Sequence, residues 1–244
     1  MIRRTLTAAI AVLGLAAVTP LAASAVRPPF PAPPGHGPSA MAQAAGTCNL
    51  SVTNRVALGR PITIIPGKIT GDCVRQGNTS GWNLTHPSKG VVNFIAWDDR
   101  DPDYDGTWWL FAADPIGVQK FVAGGSGNYN EPGVTYTQNT NVPVTVKLAA
   151  GAWISSSRKA DVVTLKGTSL LYSVSNNNYF KRSAGGVFQF REIGQSNWQT
   201  LKSVWTNSKG EVSLSYRYSK TRDYRFALYS TPISWDLGSA TTRR

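Results

Sequence analysis

Apolar and polar residues alternate strictly along several short segments of the chain. In VSLSYRY at 212–218, a valine, a leucine and two tyrosines occupy alternate positions, with serines and an arginine between them. VFQFREI at 187–193 places Phe188 and Phe190 on one face and Gln189 and Arg191 on the other, and DYRFALY at 223–229 alternates likewise. Successive side chains of a strand point to opposite faces, so the pattern predicts strands with one buried face. From Thr47 onward no long stretch has helical spacing, which predicts an all-β protein.

Clusters of Gly, Asn, Pro and Ser separate these segments and indicate how the strands are grouped. Eight candidate strands lie near 49–53, 61–65, 80–85, 91–97, 107–113, 118–123, 134–138 and 142–149. Six or seven more follow at about ten-residue spacing over 162–236. We therefore predict two antiparallel β-sandwiches of the immunoglobulin type, over residues 47–158 and 159–244, with a boundary near SSSRKAD at 155–161. TNSKGE at 206–211 is predicted to form a hairpin in which Gly210 needs a positive φ.

The first 46 residues have the layout of an export signal and a linker. MIRR, an apolar stretch and the sequence Ala23-Ser24-Ala25 predict a secretory signal peptide over residues 1–25. A retained membrane anchor is the alternative, but the apolar run stops at Pro20 and is short for a span. Six prolines and three glycines in residues 26–46 predict a semi-rigid linker. We therefore expect a secreted protein whose mature chain has no transmembrane segment.

Because we expect the protein to be exported, the two cysteines are predicted to form a disulfide. Cys48 and Cys73 are the only pair in the chain, and oxidising compartments favour disulfides. Counted from Cys48 through Cys73, the bridge would close a ring of 26 residues. A reactive thiol is the alternative, but no histidine lies near either cysteine in the sequence.

The formal net charge of +12 is concentrated in the C-terminal part of the chain. Residues 151–244 carry 14 Lys and Arg against 5 Asp and Glu, whereas residues 26–150 carry 9 against 8. A basic surface attracts polyanions, although it can also serve solubility alone. The expected partner of an exported chain is an extracellular polyanion or a cell-wall glycan, with no specific nucleic acid, and the oligomeric state is left open. Candidate ligand-binding residues from KTRDYR and YFKRS are Lys181, Arg182, Lys220, Arg222 and Arg225.

The C-terminal stretch from VFQFREI through YSTP resembles a bacterial immunoglobulin-like domain that is common in secreted actinobacterial proteins. The resemblance covers about 70 residues and implies the fold, but it says little about function because such domains serve as spacers, adhesins and binding modules. GWNLTHPSKGVVNFIAWDD resembles the N-terminal part of similar secreted proteins. Where the family has a glycine soon after the DYR strand, this chain has YSTPISW. The positions that match the family pattern are Phe190, Arg191, Trp198, Thr200, Val204, Thr206, Gly210, Asp223, Tyr224 and Arg225.

The stretch WDDRDPDYDGTWW at 97–109 carries the densest group of carboxylates in the chain. Its D-x-D-x-D-G pattern predicts a candidate calcium loop formed by Asp98, Asp101, Asp103 and Asp105. An EF-hand is excluded, because the twelfth position counted from Asp101 is an alanine. The alternative is a solvated acidic turn whose side chains bind nearby backbone amides. Apart from this candidate calcium, no cofactor is predicted.

Two adjacent tryptophans, Trp108 and Trp109, follow the aspartates and are candidate sugar-binding residues. Since adjacent residues of a strand point to opposite faces, we expect one of them in the core and the other exposed.

Catalysis has little support in the sequence. His86 is the one histidine from residue 47 onward, and nothing near it resembles a nucleophile elbow. We therefore predict a non-catalytic binding or surface-association protein whose basic C-terminal domain is attracted to extracellular polyanions or cell wall. Two alternatives stay open: a polysaccharide hydrolase that uses the aspartates at 98–105, and a calcium-stabilised structural spacer.

Overall fold

The computed structural model describes residues 44–244, and every element of regular structure in that range is a strand. The predicted signal peptide and residues 26–43 of the predicted linker lie outside the described residues. The last three linker residues, 44–46, belong to the first strand instead. In the described range, no helix is long and apolar enough to cross a membrane.

Ten strands form the first half of the described chain, and eight of them coincide with the predicted segments. The two short strands β2 and β4, of four residues each, were not predicted. The strands are β1 (Ala44–Ser51), β2 (Arg55–Leu58), β3 (Ile62–Pro66), β4 (Lys68–Gly71), β5 (Asn78–His86), β6 (Gly90–Asp98), β7 (Thr107–Phe111), β8 (Gly117–Asn128), β9 (Thr135–Gln138) and β10 (Val142–Leu148).

These strands form three sheets around one apolar core. The largest has the order β2-β10-β8-β5-β6, and it is accompanied by β4-β1-β9 and by the two-stranded sheet β3-β7. Most ladders are antiparallel, but β1 pairs with β9, and β10 with β2, in parallel. Trp82, Trp108 and Phe121 are fully buried between the sheets. The disulfide joins Cys48 to Cys73 within this core, with their Cα atoms 5.5 Å apart.

The second half of the chain forms a β-sandwich with its own core. One sheet has the order β11-β12-β13, with β16 also paired to β12; the other has the order β15-β14-β17-β18, with β19 also paired to β17. The predicted alternation is confirmed, since Phe188, Tyr224 and Phe226 are fully buried between the sheets. The strands are β11 (Ala150–Lys159), β12 (Val162–Ser173), β13 (Asn178–Lys181), β14 (Gly185–Glu192), β15 (Gln199–Trp205), β16 (Glu211–Arg217), β17 (Arg222–Leu228), β18 (Leu237–Gly238) and β19 (Thr242–Arg243).

Two local predictions differ from the structure. Residues 155–161 form the end of β11 and the turn into β12, so the expected domain boundary falls inside a hairpin. The apolar core changes some residues earlier, between Ala149 and Ala150. Residues 206–211 do not close a hairpin, because β15 pairs with β14 whereas β16 pairs with β12 in the opposite sheet. Gly210 does have the expected positive φ of 68°, and a Cβ there would lie 2.6 Å from the carbonyl oxygen of Ser169.

The chain returns to the first half after β17, through a segment that we call the C-terminal clasp (residues 230–236). The Arg55 guanidinium and the Lys147 ammonium each lie 4.3 Å from the centroid of the Trp235 ring. The neighbouring Asp236 forms an ion pair with Arg55 at 2.6 Å. Cation–π contacts and an ion pair therefore connect the end of the second sandwich to strands β2 and β10 of the first half.

Candidate functional site

The aspartate loop has the geometry of a hydrogen-bonded turn. The carboxylates of Asp98, Asp101 and Asp105 each accept a hydrogen bond from the backbone amide two residues further on, at 3.0, 3.0 and 2.9 Å. For Asp101 that amide belongs to Asp103. The second oxygen of Asp98 accepts a hydrogen bond from the Tyr129 hydroxyl at 2.6 Å. Each carboxylate therefore stabilises its own turn, as aspartates commonly do in loops.

These carboxylates do not converge on one point. Within residues 44–244, no group of three or more His, Cys, Asp or Glu side chains is arranged to hold a metal ion. The calcium site stays a prediction, and the observed hydrogen bonds favour the alternative of an acidic turn.

We expect calcium and EDTA to give the same midpoint of thermal unfolding, because the loop is already closed by its own amides. A site occupied at a hundred times its dissociation constant would add about 2.7 kcal/mol, which thermal unfolding detects readily. The double variant Asp103→Asn with Asp105→Asn serves as the control. A calcium-dependent rise that this variant abolishes would establish the metal loop after all.

The two adjacent tryptophans occupy opposite faces of β7, as expected. Trp108 is fully buried and packs edge-on against Phe121, with ring centroids 5.2 Å apart. Its proposed role in ligand binding is therefore wrong, since no ring face is accessible. Trp109 is 39% exposed and pairs across the ladder with the exposed Ile64.

The predicted basic patch is divided between opposite ends of the second sandwich. Lys181 ends β13 opposite Leu170, and Arg182 follows it, whereas Arg222 begins β17 near the other end of β12. The ladder positions of β12 that mark these ends, 162 and 170, are about 26 Å apart at the usual rise of a strand. Lys220, in the turn before Arg222, is exposed.

Two cations of this predicted patch, Lys181 and Arg222, form ion pairs within the protein. Lys181 forms an ion pair with Glu211 at 2.6 Å. Arg222 forms an ion pair with Glu192 at 2.5 Å and stacks on the ring of Tyr218. With only 16% of its side chain exposed, Arg222 is a structural residue near one end of the sandwich.

A different group of arginines gathers on the outer face of the sheet that contains β14 and β17. The guanidinium carbons of Arg191 and Arg225 lie 4.7 and 4.5 Å from the centroid of the Trp198 ring. They come together because β14 and β17 are neighbours, with Gln189 opposite Arg225 and Arg191 opposite Asp223. Phe188, Phe190, Tyr224 and Phe226, at the alternate positions, pack against the core on the other face.

Asp223 lies beneath these arginines and holds two of them in place. Its carboxylate accepts hydrogen bonds from the Nε of Arg191 at 3.1 Å and the Nε of Arg243 at 2.8 Å, and its side chain is 5% exposed. The hydrogen bond from Arg243 and that from Arg191 hold the pKa of Asp223 below its usual value. We call Arg191, Arg225, Arg243, Asp223 and Trp198 the arginine face; its three cations and one anion leave a local charge of +2.

The arginine face presents unused hydrogen-bond donors. The Nε of Arg225 donates to Gln189 at 2.7 Å, and the Nε of Arg191 donates to Asp223. Within residues 44–244, the terminal nitrogens of these two arginines make no hydrogen bond to the protein. Burial, and the positive charge of Arg191, lower the pKa of Arg225. An anion placed between the two guanidinium groups would offset the repulsion between their positive charges. It would also accept hydrogen bonds from their free N–H groups.

Two exposed aromatic rings lie on the other end of the same sheet face. Trp205 is 72% exposed and donates its Nε1 hydrogen bond to the hydroxyl of Ser183 at 2.6 Å. Tyr229 is 48% exposed, and its hydroxyl lies 3.0 Å from that of Ser203. Both rings approach the backbone at Gly185, where an added Cβ would lie 2.9 Å from Trp205 and 3.3 Å from Tyr229. Glycine therefore lets both rings approach this strand closely.

The aromatic pair and the arginine face lie along one strand. Gly185 and Arg191 are six positions apart on β14, which corresponds to about 20 Å. Of the residues that form this surface, only Arg225 was among the predicted ligand-binding residues. The alternation of β14 and β17 did place Arg191 and Arg225 on outward faces, but which strands are neighbours could not be read from it.

We expect the Asp223→Asn variant to lose about 1.5–3 kcal/mol of unfolding free energy at pH 7, the usual range for hydrogen bonds to a charged group. Because the folded-state pKa of Asp223 is lowered, its stabilisation is present above the unfolded value of about 3.9 and is lost as the pH falls through the folded value. The difference in unfolding free energy between Asp223→Asn and wild type should therefore become smaller below about pH 4. Urea unfolding at pH 7, 5 and 3 measures this.

Asp161→Asn is the matched control for this variant. Its ion pair with Arg217 is long, at 3.7 Å, and both side chains are well exposed, so we expect little change in stability. A loss at Asp223→Asn that is the same at all three pH values would contradict the charge-based account.

Comparisons with known proteins identify no family for this chain. No protein-family model matches it, and no curated protein matches it. Among solved structures it is similar to native alpha-2-macroglobulin from E. coli, at 12% identity and a TM-score of 0.36, over 84% of this chain and 14% of that one. It is also similar to the D0-D1 domain of intimin, at 11% identity and a TM-score of 0.26, over 82% of this chain and 98% of that one.

The human OSCAR ligand-binding domain is similar at the same level, with 12% identity and a TM-score of 0.26 over 81% of this chain and 96% of that one. The chain spans far less than two thirds of the macroglobulin that it resembles. Likeness at these TM-scores carries no argument about function, and the resemblance to secreted actinobacterial proteins stays a prediction.

Proposed function

We propose that this protein is a non-catalytic binding protein that attaches to an acidic extracellular polymer through the arginine face. The observation that carries the proposal is the pair of guanidinium groups, Arg191 and Arg225, stacked on one Trp198 ring with their terminal nitrogens free. Arginine forks match carboxylate, sulfate and phosphate oxygens in a bidentate manner. The buried disulfide fits an oxidising compartment and supports an extracellular location.

The aromatic pair extends this contact along the sheet. A sugar ring can lie against the exposed faces of Trp205 and Tyr229 while acidic groups further along the same polymer reach Arg191 and Arg225. The distance of about 20 Å between the two ends then requires an extended ligand of several units rather than a single sugar. Electrostatic attraction by the basic C-terminal part of the chain would speed the encounter.

The hydrolase alternative receives less support from the geometry. Glycoside hydrolysis uses two carboxyl groups in one cleft, one of them with a raised pKa. Among the acidic residues of 44–244, Asp114 has a raised pKa, caused by burial. Its Oδ2 accepts hydrogen bonds from the Asn93 side chain at 2.7 Å and from the amide of Phe111 at 2.9 Å, which close the turn after β7. The structural role of Asp114 explains this environment without catalysis.

A direct experiment compares polygalacturonate with its fully methyl-esterified form, which has the same sugar backbone without the charges. We expect the protein to bind polygalacturonate, and heparin as a sulfated probe, with an affinity that falls as salt is added, and to bind the ester much more weakly. Isothermal titration calorimetry at two salt concentrations provides the measurement. Equal affinity for the charged and the esterified polymer, or no binding to either polyanion, would refute the proposal, and the spacer alternative would then gain support.

A further inference from the structure

One end of the second sandwich concentrates positive charge on a group of neighbouring turns. These turns are 160–161, 193–198 and 218–221. They meet because β12 pairs with β16, and β14 pairs with β17. Among residues 44–244, six cations and two carboxylates belong to this end, which we call the cationic end, and they leave a local charge of +4. Its charged residues are Arg158, Lys159, Asp161, Glu192, Arg217, Lys220, Arg222 and Arg244. This local charge is twice that of the arginine face.

The two carboxylates are already paired within the cationic end. Asp161 forms an ion pair with Arg217 at 3.7 Å, and Glu192 forms one with Arg222 at 2.5 Å. Each of these pairs is neutral as a whole, so the local charge comes from the four cations that remain. An anionic surface that approaches this end therefore meets positive charge that no carboxylate of the end neutralises.

The four remaining cations lie at or near the surface of the turns. Lys159 and Lys220 are exposed, and within residues 44–244 neither forms an ion pair. The Arg158 guanidinium donates to the carbonyl oxygens of Tyr218 and Lys220, which holds it beside the turn at 218–221. The exposed Arg244 donates from its Nε to a backbone carbonyl of β11 at 3.0 Å. Carbonyl groups orient these two guanidinium groups without neutralising their charge.

An exposed isoleucine lies at the tip of one of these turns. The Gln195 amide donates to the Glu192 carbonyl at 3.0 Å and closes a tight turn. Ile193 and Gly194 are its central residues, and Gly194 has a positive φ of 83°, which suits the third position of such a turn. Turn positions usually carry polar residues or glycine, yet Ile193 is 48% exposed. Since the Glu192 side chain binds Arg222, the isoleucine lies next to the cations of the neighbouring turn.

We propose that the cationic end is a docking surface for an anionic lipid bilayer. The cations would contact the lipid phosphate groups, and Ile193 would enter the apolar boundary beneath them. This combination favours a lipid surface over a soluble polyanion, because a polyanion has no apolar layer that would receive the isoleucine. The arginine face lies on the side of the same sandwich, and docking through the turns does not depend on the polymer proposed for that face.

Co-sedimentation of the full mature chain with lipid vesicles measures this docking. Vesicles of phosphatidylglycerol and phosphatidylcholine in equal parts are compared with vesicles of phosphatidylcholine alone. We expect the protein to bind the anionic vesicles, with an affinity that falls as salt is added, and to bind the neutral vesicles at least tenfold more weakly.

The contribution of the cations is tested with two matched pairs of substitutions. Lys159→Gln with Lys220→Gln should weaken binding to the anionic vesicles at least tenfold, because each cation close to an anionic surface adds to the attraction. Lys202→Gln with Lys209→Gln removes the same charge from exposed positions outside the cationic end and should change the binding only a few-fold.

The contribution of the isoleucine is tested separately. Ile193→Ser should weaken vesicle binding several-fold, because serine gains little from an apolar boundary, and Ile193→Trp should strengthen it. Ile64→Ser, at an exposed isoleucine in the first half of the chain, is the matched control and should leave vesicle binding unchanged. Neither substitution at position 193 should alter the binding of polygalacturonate.

Four results would overturn the inference: equal binding to both kinds of vesicle, no binding to either, equal losses in the two lysine pairs, or wild-type vesicle binding by Ile193→Ser. Arg191→Gln with Arg225→Gln separates this inference from the proposed function, because it should keep vesicle binding within a few-fold of wild type. If polygalacturonate binding falls as much as vesicle binding in Lys159→Gln with Lys220→Gln, the cationic end binds soluble polyanions, and the lipid proposal fails.

Discussion

Replacing Arg191 and Arg225 together with glutamine will weaken the binding of polygalacturonate at least tenfold. Each guanidinium offers two free terminal nitrogens, and hydrogen bonds to charged groups contribute about 1.5–3 kcal/mol each. Glutamine keeps much of the side-chain length and polarity but removes the charge and the fork. The dependence of affinity on salt should also become shallower, because fewer cations then exchange with bound counterions.

The control removes the same number of charges from elsewhere on the second sandwich. Lys209 and Lys220 are exposed and lie outside the arginine face, and Lys220 belonged to the patch that the sequence indicated. Lys209→Gln with Lys220→Gln should change the affinity only a few-fold, through the general field of the protein. If this control loses as much affinity as the arginine variant, binding depends on net charge alone and the arginine face is not the site.

Replacing both cysteines with alanine will lower the free energy of unfolding by ~3.5 kcal/mol, as the chain-entropy relation gives for a ring of this size. The bridge spans 25 positions and lies fully buried in the first core, so alanine avoids leaving a polar group unpaired there. Urea denaturation of wild type and the Cys48→Ala, Cys73→Ala variant provides the comparison.

A reductant distinguishes this effect from a simple packing loss. Dithiothreitol should destabilise wild type and leave the double-alanine variant unchanged, since that variant has no bridge to reduce. A variant whose stability lies within about 1 kcal/mol of wild type would show that the bridge contributes little, as happens when the unfolded chain keeps residual structure.

The fold could be predicted from the sequence because period-two alternation is a local signal. Phe188 and Phe190 against Gln189 and Arg191 already define the buried and solvated faces of β14, and the structure confirms them. The binding surface could not be predicted, because it depends on which strands become neighbours. Arg191 and Arg225 meet only because β14 pairs with β17, more than thirty positions further along the chain. The prediction instead combined two basic motifs, YFKRS and KTRDYR, and so placed Lys181 with Arg222, although they lie at opposite ends of the second sandwich.

The aspartate loop is a second feature whose role the sequence alone did not decide. Alternating aspartates suit both a metal ion and a run of turns in which each carboxylate caps an amide two residues on. Spacing alone does not separate these cases. The hydrogen bonds that Asp98, Asp101 and Asp105 accept from the amides two residues on define the local geometry, and they are visible only in three dimensions.

The C-terminal clasp has a mechanical consequence. Tension applied to the second sandwich would reach the first half along two routes. One is the covalent connection at residues 148–150, and the other is the clasp, where the Trp235 Nε1 donates to the carbonyl of Val56 at 2.9 Å and the Leu148 amide donates to the carbonyl of Ile233 at 2.8 Å. A pull therefore has to shear several contacts at once before the halves can swing apart. The two halves would then resist such a pull together.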